Sequence, residues 1–463
     1  MTQPRLYPLS QTQRLNMWSR SFTVHKQVNN IATSALVGAP LDLVALRAAA
    51  VEAVSRNDSF GVRLTKRGRQ QRQYFGERRA LVLETVDFEG RSEAEMDAFF
   101  HKVARKPLPI WESPLAKVYI VRAPDGACGL FTCISHFVMD SWAINLFYRD
   151  VFGLYFAHVD GEPLPDPVLP FEDQLKKEAE YEASPRHDRD REFWRGELAS
   201  YDGRLPAYAH VNGTRMRDSW RKLIRKPDHP FGRGVIFRTT ARHEVIGVDR
   251  ADLDAMKAFC EEHRIPLPSL FLLGLRTHLS RVSGNVDDVS IAITIARRGT
   301  LVEKRSTGDR ATGLHLRTII GKDQTFLDAL RIVGYKQNSM LGHADIDFLE
   351  IMAMETEAYG IKAYEAYAPI VFTFQMIPME VGNGLAVRTE WYCSGTSQMM
   401  LYVMVMGGGA DDSLRICYEY YDYQIDVATL HQCHAFTLDV IRAGIRNPDV
   451  TMAELLELPL RTG

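Results

Sequence analysis

His136 stands at the end of a mainly apolar run, in the segment CISHFVMDSW (133–142). A neutral imidazole takes up a proton near physiological pH, so a histidine aimed out of a strand end suits a general base. Asp140, four residues on, need not touch it. A carboxylate there can bind an arginine, hold the loop's shape, or cap the helix that the next residues predict. That helix start offers backbone N–H groups, which favour a developing negative charge. The spacing alone does not define a base, because it recurs at His343 and Asp347. There a hydrogen-bonded structural histidine is the plainer reading.

The neighbouring elements would hold His136 in place. AKVYIVRA and CGLFTCI read as strands, and the turn residues of APDGA between them predict a hairpin. SWAINLFYRDVFGLYFAHV follows as a helix with Asp140 or Ser141 as its N-cap. Upstream, LDLVALRAAAVEAVSRND sets Leu43, Leu46, Ala50, Val51 and Val54 on one helical face. Between Phe171 and Leu198 the chain becomes charge-dense and is interrupted at Ser184-Pro185. This predicts surface or inter-lobe helices and a boundary between units at 1–180 and 181–463. The second unit repeats the mixed pattern. ADLDAMKAFCEEH and SLFLLGLRTHLSRVSG predict helices, DVSIAITIA a strand, and QMMLYVMVMGGG with SLRICYEYY consecutive strands. A helix closes the chain before Asn447-Pro448.

The chain has 463 residues and a formal net charge of -2, with 46% hydrophobic and 25% charged residues. Its length predicts more than one compact unit. The near-neutral balance gives no global electrostatic reason to bind nucleic acid or membrane. No segment approaches the roughly 20 apolar residues of a membrane span, and the start lacks the pattern of a signal peptide. A cytoplasmic monomer is therefore expected. The six cysteines, at 128, 133, 260, 393, 417 and 433, form no C-x-x-C pair. Reduced thiols are expected, not disulfides or a metal site.

Taken together, the motifs resemble the condensation domains of nonribosomal peptide synthetases, in the chloramphenicol-acetyltransferase-like acyltransferase superfamily. That family's H-H-x-x-x-D-G reads here Ser135-His136-Phe137-Val138-Met139-Asp140-Ser141. The second histidine and the aspartate match; the first histidine and the glycine do not. YPLSQTQRLNMW (7–18) is similar to the family's opening S-x-x-Q-x-R-L-W element. EDQLKKEAEYEASPRHDRDREFW resembles its mid-chain segment, and DDVSIAITIARRG the strand that ends in its arginine, matched to Arg298. GLHLRTII resembles the later G-x-x-x-N-x-x-P-x-R region without a clear asparagine, and PIVFTFQ and the tail from Tyr418 also fit. The resemblance covers essentially the whole chain. No adenylation or carrier domain is seen, so a free-standing enzyme is expected.

The resemblance implies an α/β fold of two acetyltransferase-like lobes, arranged as a V-shaped pseudo-dimer with an active-site tunnel between them. It implies transfer of an acyl group from a carrier-protein phosphopantetheine thioester to an amine or hydroxyl, in specialised-metabolite assembly. An acyl or peptidyl carrier protein and a small-molecule acceptor would be the partners. No permanently bound cofactor is implied, since the phosphopantetheine arrives with the substrate. The implied catalytic set is His136, Asp140 and Ser141, with Ser135 and Arg298 as support. Asp140 would pair with Arg298 in a mainly structural role, and the adjacent Arg297 would be solvated. Ser141, in place of glycine, adds a Cβ and a hydroxyl at the tunnel's narrowest point. It restricts the donor, hydrogen-bonds the reaction centre, or marks a catalytically silent recruitment module, the alternative reading. A third reading is transfer from soluble acyl-CoA. Trp142 (otherwise a packing residue), Ser394, Thr396, Ser397 and Gln398 are candidate tunnel-lining groups. The basic run Arg215, Arg217, Arg221, Lys222, Arg225 and Lys226 is a candidate carrier-docking face, or simply a solvated one. His315 and Arg317 read as structural, and the methionines of QMMLYVMVMG most simply as core, with the lining of an apolar acyl tunnel as the alternative.

Overall fold

A computed structural model of the chain describes residues 4–78, 81, 83–204, 221–223, 225, 239–361, 370–375, 380–381, 384–407 and 413–461. The first half supplies strands β1 (Asn30–Val37), β2 (Val62–Arg67), β3 (Gln70–Phe75), β4 (Leu83–Asp87), β5 (Ala116–Arg122) and β6 (Cys128–Ser135). The second half supplies β7 (Ala241–Val248), β8 (Asp288–Ile295), β9 (Thr312–Ile319), β10 (Ile370–Gln375), β11 (Glu380–Val381), β12 (Leu385–Trp391), β13 (Leu401–Gly407) and β14 (Leu414–Tyr421). Two mixed six-stranded sheets result, in the orders β11-β12-β1-β6-β5-β4 and β7-β14-β13-β10-β8-β9. Helices cover them, and the chain adopts the predicted α/β fold.

The local expectations near His136 hold. β5 and β6 form the antiparallel hairpin, from Ala116 opposite Ile134 to Arg122 opposite Cys128. The helix Ser141–Val159 starts where its cap dictates, with Asp140 Oδ1 accepting the Ala143 N–H at 2.8 Å. It buries Ala143, Ile144, Phe147, Tyr148, Val151 and Phe152 against the first sheet's core and packs on the helix Leu43–Arg56. On that second helix Ala49, Ala50 and Ala53 face inward, whereas Val51, expected on the inner face, is exposed. The small alanines let the two helices approach closely, and this turns the buried stripe away from Val51. The break at Ser184-Pro185 separates helices Phe171–Glu182 and Pro185–Ala199, with proline in the second helix's first turn.

The second sheet shows how one strand serves two surfaces. Successive side chains point to opposite faces. Leu401, Val403 and Val405 of β13, and Leu414, Ile416, Tyr418 and Tyr420 of β14, enter the second core with the helices Leu267–Val282 and Val427–Arg446. The alternate residues Tyr402, Met404, Cys417 and Glu419 face a cavity shared with the first half. Met404 is thus a cavity wall as well as part of a strand.

The two halves also exchange material. β12 belongs to the second half by sequence, yet it pairs antiparallel with β1, Thr33 opposite Trp391 through Val37 opposite Val387. A division at 180/181 does not anticipate this crossover, because its cause is the open edge of β1 and not any local signal. The chain then returns to the second sheet through residues 392–400. All six cysteines are free, and Cys260 alone is only half-buried. Among the described residues no helix is long and apolar enough to cross a membrane.

Candidate active site

His136 follows the last residue of β6 and is gripped through its backbone. Its N–H donates to the Asn29 carbonyl at 2.7 Å, and its carbonyl accepts from Asn16 Nδ2 at 3.1 Å. Gln13 Nε2 donates to the Phe137 carbonyl at 2.8 Å. Both amides come from the helix Gln11–Ser21, which opens with a capping box between Ser10 and Gln13. The sequence element S-Q-T-Q-R-L-N therefore acts as a clamp on the turn that aims the imidazole. Ser135 is buried, and its hydroxyl accepts the Phe137 N–H at 3.3 Å. It supports the same turn.

Asp140 faces away from His136. Arg298 binds it with two hydrogen bonds, Nη1 to Oδ2 at 2.7 Å and Nη2 to Oδ1 at 3.1 Å. The Arg310 N–H also donates to Oδ2, at 2.9 Å. Arg298 continues to the carbonyls of Ala296 and Gly308, both at 3.0 Å. Gly308 has φ +93° and lies against the Phe171 ring, where a Cβ would stand 2.1 Å from a ring carbon, so only glycine fits. Burial pushes the Asp140 carboxyl up, but the Arg298 charge and these hydrogen bonds outweigh it and hold the group below the usual range. Asp140 lines neither of the cavities described below. Its grouping with the catalytic residues is corrected to a loop-holding one, because a satisfied, enclosed ion pair has no acceptor left for a substrate.

The side chain that faces His136 is Asp309, which the sequence did not single out. Nδ1 of His136 lies 3.4 Å from Asp309 Oδ2, and Asn16 Nδ2 reaches the same oxygen at 3.2 Å. Oδ1 accepts the Ala311 N–H at 3.1 Å. Thr12 and Gln174 fix the Asp309 carbonyl at 2.9 and 2.8 Å. Burial raises the Asp309 carboxyl above the ordinary value, and the His136 contacts only partly offset this. The ring is left about one-third exposed.

That ring borders a cleft of about 180 Å³, partly open to solvent, walled by both halves of the chain. Thr12, Asn16 and Ile31 come from the first half; Ala292, Tyr402, Met404 and Glu419 come from the second sheet. Ser394, Thr396, Ser397 and Gln398 all lie on this wall, carried there by the return from β12. Ser141 borders a smaller cavity with Thr33, Asn145, Tyr148 and Gln375. Trp391 lines both cavities.

Other expectations are corrected. Trp142 lines neither cavity. Its indole N–H donates to the Lys304 carbonyl at 2.9 Å, and Arg298 lies over its ring at 5.9 Å. Arg297 is not solvated. It is half-buried at φ +48°, donates to the Arg310 carbonyl at 2.7 Å and contacts Gln11. The strand has already ended at Ile295, so its alternation does not govern these two positions and both arginines turn inward. His315 does border the cleft, but it is engaged by Glu355 at 2.5 Å; Arg317 pairs with Asp288 and stacks on Tyr201 at 3.9 Å. Arg215, Arg217 and Lys226 lie outside the described residues. Lys222 and Arg225 are exposed and Arg221 is half-buried, and none of the three lines a cavity described here.

Asp309, Asn16, Gln13 and Glu419 are the site residues that sequence reasoning missed. Asn16 and Gln13 lay inside a motif already noticed. Glu419 had a faint signal, a carboxylate on the polar face of an alternating strand. Asp309 had none, since its partner is 173 positions away.

A histidine backed by a carboxylate, in a cleft between two α/β lobes, defines an acyltransferase-like centre. The Condensation domain family model matches residues 3–360, and the chain belongs to that family. Its members are acyltransferases that form amide or ester bonds. The chain is 22% identical over 452 residues to one of the plipastatin synthase proteins of Bacillus subtilis (strain 168), covering 97% of this chain and 17% of that protein. It thus spans about one-sixth of that relative's length. Among solved structures, the first condensation domain of the calcium-dependent antibiotic synthetase, in complex with a substrate analogue, superposes with a TM-score of 0.79 at 18% identity. The match covers 97% of this chain and 98% of that one. The starter condensation domain of rhizomide synthetase, in complex with C8-CoA, gives 0.78 at 14% identity, covering 97% and 96%. The fold is therefore the two-lobed chloramphenicol-acetyltransferase-like pseudo-dimer.

Proposed function

We propose that the chain transfers an acyl group from a carrier-borne phosphopantetheine thioester to an amine or hydroxyl acceptor. The observation that carries this reading is the His136 ring, which has Nδ1 toward Asp309 and stands on the wall of the inter-lobe cleft. Asp309 accepts a hydrogen bond from the Nδ1–H and so leaves a lone pair on Nε2. The acceptor's N–H or O–H donates there as its heavy atom attacks the thioester carbonyl. The carbon–sulfur bond breaks, the proton passes from Nε2 to the leaving sulfur, and the products are an amide or ester and a free thiol. Holding both reactants in one cleft supplies a large share of the acceleration, and the proton step supplies about 10²–10⁴-fold. The Ser141 hydroxyl, in the smaller cavity, is the candidate contact for the donor's carbonyl or arm.

Acyl-CoA is the second reading of the donor. It presents the same phosphopantetheine arm, and a structural neighbour holds C8-CoA. Intact-mass detection of product tests both. Acyl-loaded carrier proteins and acyl-CoAs are each offered with a panel of amines and alcohols, beside folded His136→Ala. Transfer from the carrier that collapses in the variant supports the first reading, and transfer from CoA alone the second. Carrier binding without transfer by wild type would replace both with a recruitment role.

A further inference from the structure

Among the described residues that wall the cleft, one carboxylate is not used by the proposed reaction. Glu419 lies on the cavity face of β14, opposite His243 of β7 in the strand register, and is half-buried. Its carboxylate faces the Ser397 hydroxyl and the Cys393 thiol. Among the described residues no lysine or arginine forms an ion pair with it. His243 does not compensate it either, since burial and the neighbouring His101 ring, 6.1 Å away, disfavour its charged form. Burial accordingly raises the Glu419 carboxyl, and the only cationic influence on it among the described residues is that of His136, across the same cleft.

An uncompensated carboxylate in a half-closed cavity is costly to keep. A glutamine would satisfy the same hydroxyl and thiol without the charge. Protonation relieves part of that cost, and a cation brought by the ligand relieves it with the charge kept. Such a cation cannot be the attacking nitrogen, because pairing with a carboxylate holds an amine protonated and without a lone pair. The reacting group must be a second one on the same molecule, long enough to reach His136.

Resting on the acyl-transfer reading, we propose that Glu419 binds an ammonium group of the acceptor, which is a small diamine or amino alcohol whose other end reacts at His136. The remaining cleft wall fits this division. Ala292, Val371, Tyr402 and Met404 offer apolar contact for a connecting chain between the two polar ends.

The test measures binding by calorimetry at neutral pH, using 1,4-diaminobutane and its uncharged counterpart 1,4-butanediol. The proteins are wild type, Glu419→Gln and Glu419→Asp. Wild type is expected to bind the diamine about 10- to 100-fold more tightly than Glu419→Gln does, the worth of one charge-assisted contact. Glu419→Asp should keep part of the preference, and the diol should bind all three proteins equally weakly. Equal diamine affinity in wild type and Glu419→Gln, with both folded by circular dichroism, overturns the proposal. Acyl transfer is followed in parallel with 1,4-diaminobutane as acceptor. Glu419-dependent binding without transfer from any donor refutes the acyl-transfer reading and leaves the ammonium site standing. Transfer with Glu419-independent diamine binding does the reverse.

Discussion

The chain carries the pattern His-x-x-x-Asp twice, and the two copies end in parallel structures with different surroundings. Asp140 caps the helix Ser141–Val159 and binds Arg298 from the second half. Asp347 caps the helix Phe348–Tyr359 and binds Arg14 from the first half, at 3.0 and 2.8 Å. Each aspartate thus starts a helix in its own half and anchors an arginine from the other. The histidines diverge. His343 is stacked on Phe193 at 3.9 Å, and Asp190 engages its Nδ1 at 2.8 Å, remote from the cleft. His136 leans on a longer contact with Asp309 and borders the cleft. The shared pattern is therefore a helix-start and lobe-linking device, and chemistry is added to one copy by what faces its histidine.

Removing the two aspartates sharpens the comparison most. Asp140→Ala leaves the Arg298 guanidinium enclosed without its partner, and about 3–5 kcal/mol of unfolding free energy should be lost in denaturant titrations. Asp347→Ala leaves Arg14 its other partner, Glu182 at 2.7 Å, and a side chain that is 35% exposed and can turn to water. About 1 kcal/mol, mainly the lost cap, is expected there. Equal losses would break the distinction between the buried and the open pair. The two histidines should separate by function. His136→Ala should lower the acyl-transfer rate about 10²–10⁴-fold with the melting temperature nearly unchanged, whereas His343→Ala should leave the rate intact and cost some stability through the lost stacking.

Asp309→Asn probes the added chemistry more finely. The amide still accepts the Ala311 N–H but no longer stabilises an imidazolium, so kcat should fall about tenfold or more. Acidity distinguishes the two carboxylates further. Asp140 is more acidic folded than unfolded, so its pair stabilises the protein above the unfolded carboxylate pKa. That contribution is lost as pH falls through the lower folded value. Asp309 is less acidic folded, so its ionisation costs stability as pH rises past the unfolded pKa. Stability-versus-pH curves should therefore show Asp309→Asn gaining on wild type toward neutral pH and Asp140→Asn losing on it. The smallest effect is expected from Ser141→Gly. It should change KM for the donor more than kcat, and an unchanged donor KM would remove Ser141 from the donor path.

Much of this was legible in local sequence. The Asp140 cap, the β5–β6 hairpin and the interruption at Ser184-Pro185 follow from backbone hydrogen bonding and from proline's missing N–H, which act over a few residues. The match of Arg298 to Asp140 came through family resemblance, and the geometry bears it out. The inward turn of Arg297 was not legible, because the strand ends at Ile295 and its alternation does not reach Arg297. Val51 was misplaced for a related reason, since several faces of an alanine-rich helix satisfy the same periodicity.

By itself, the sequence determined where elements start and stop, which strand faces are apolar, and that His136 emerges at a strand end ahead of a capped helix. These are short-range matters of dihedral preference, capping and periodicity. Only the tertiary structure decided that Asp309 stands behind His136, that Asn16 and Gln13 clamp its turn, and that β12 crosses to the first sheet and returns residues 394–398 along the cleft. It alone placed Glu419 on a cavity wall instead of in solvent. Each of these depends on how two lobes pack and which strand edge is open, and no window of neighbouring residues encodes a contact with a partner more than a hundred positions away.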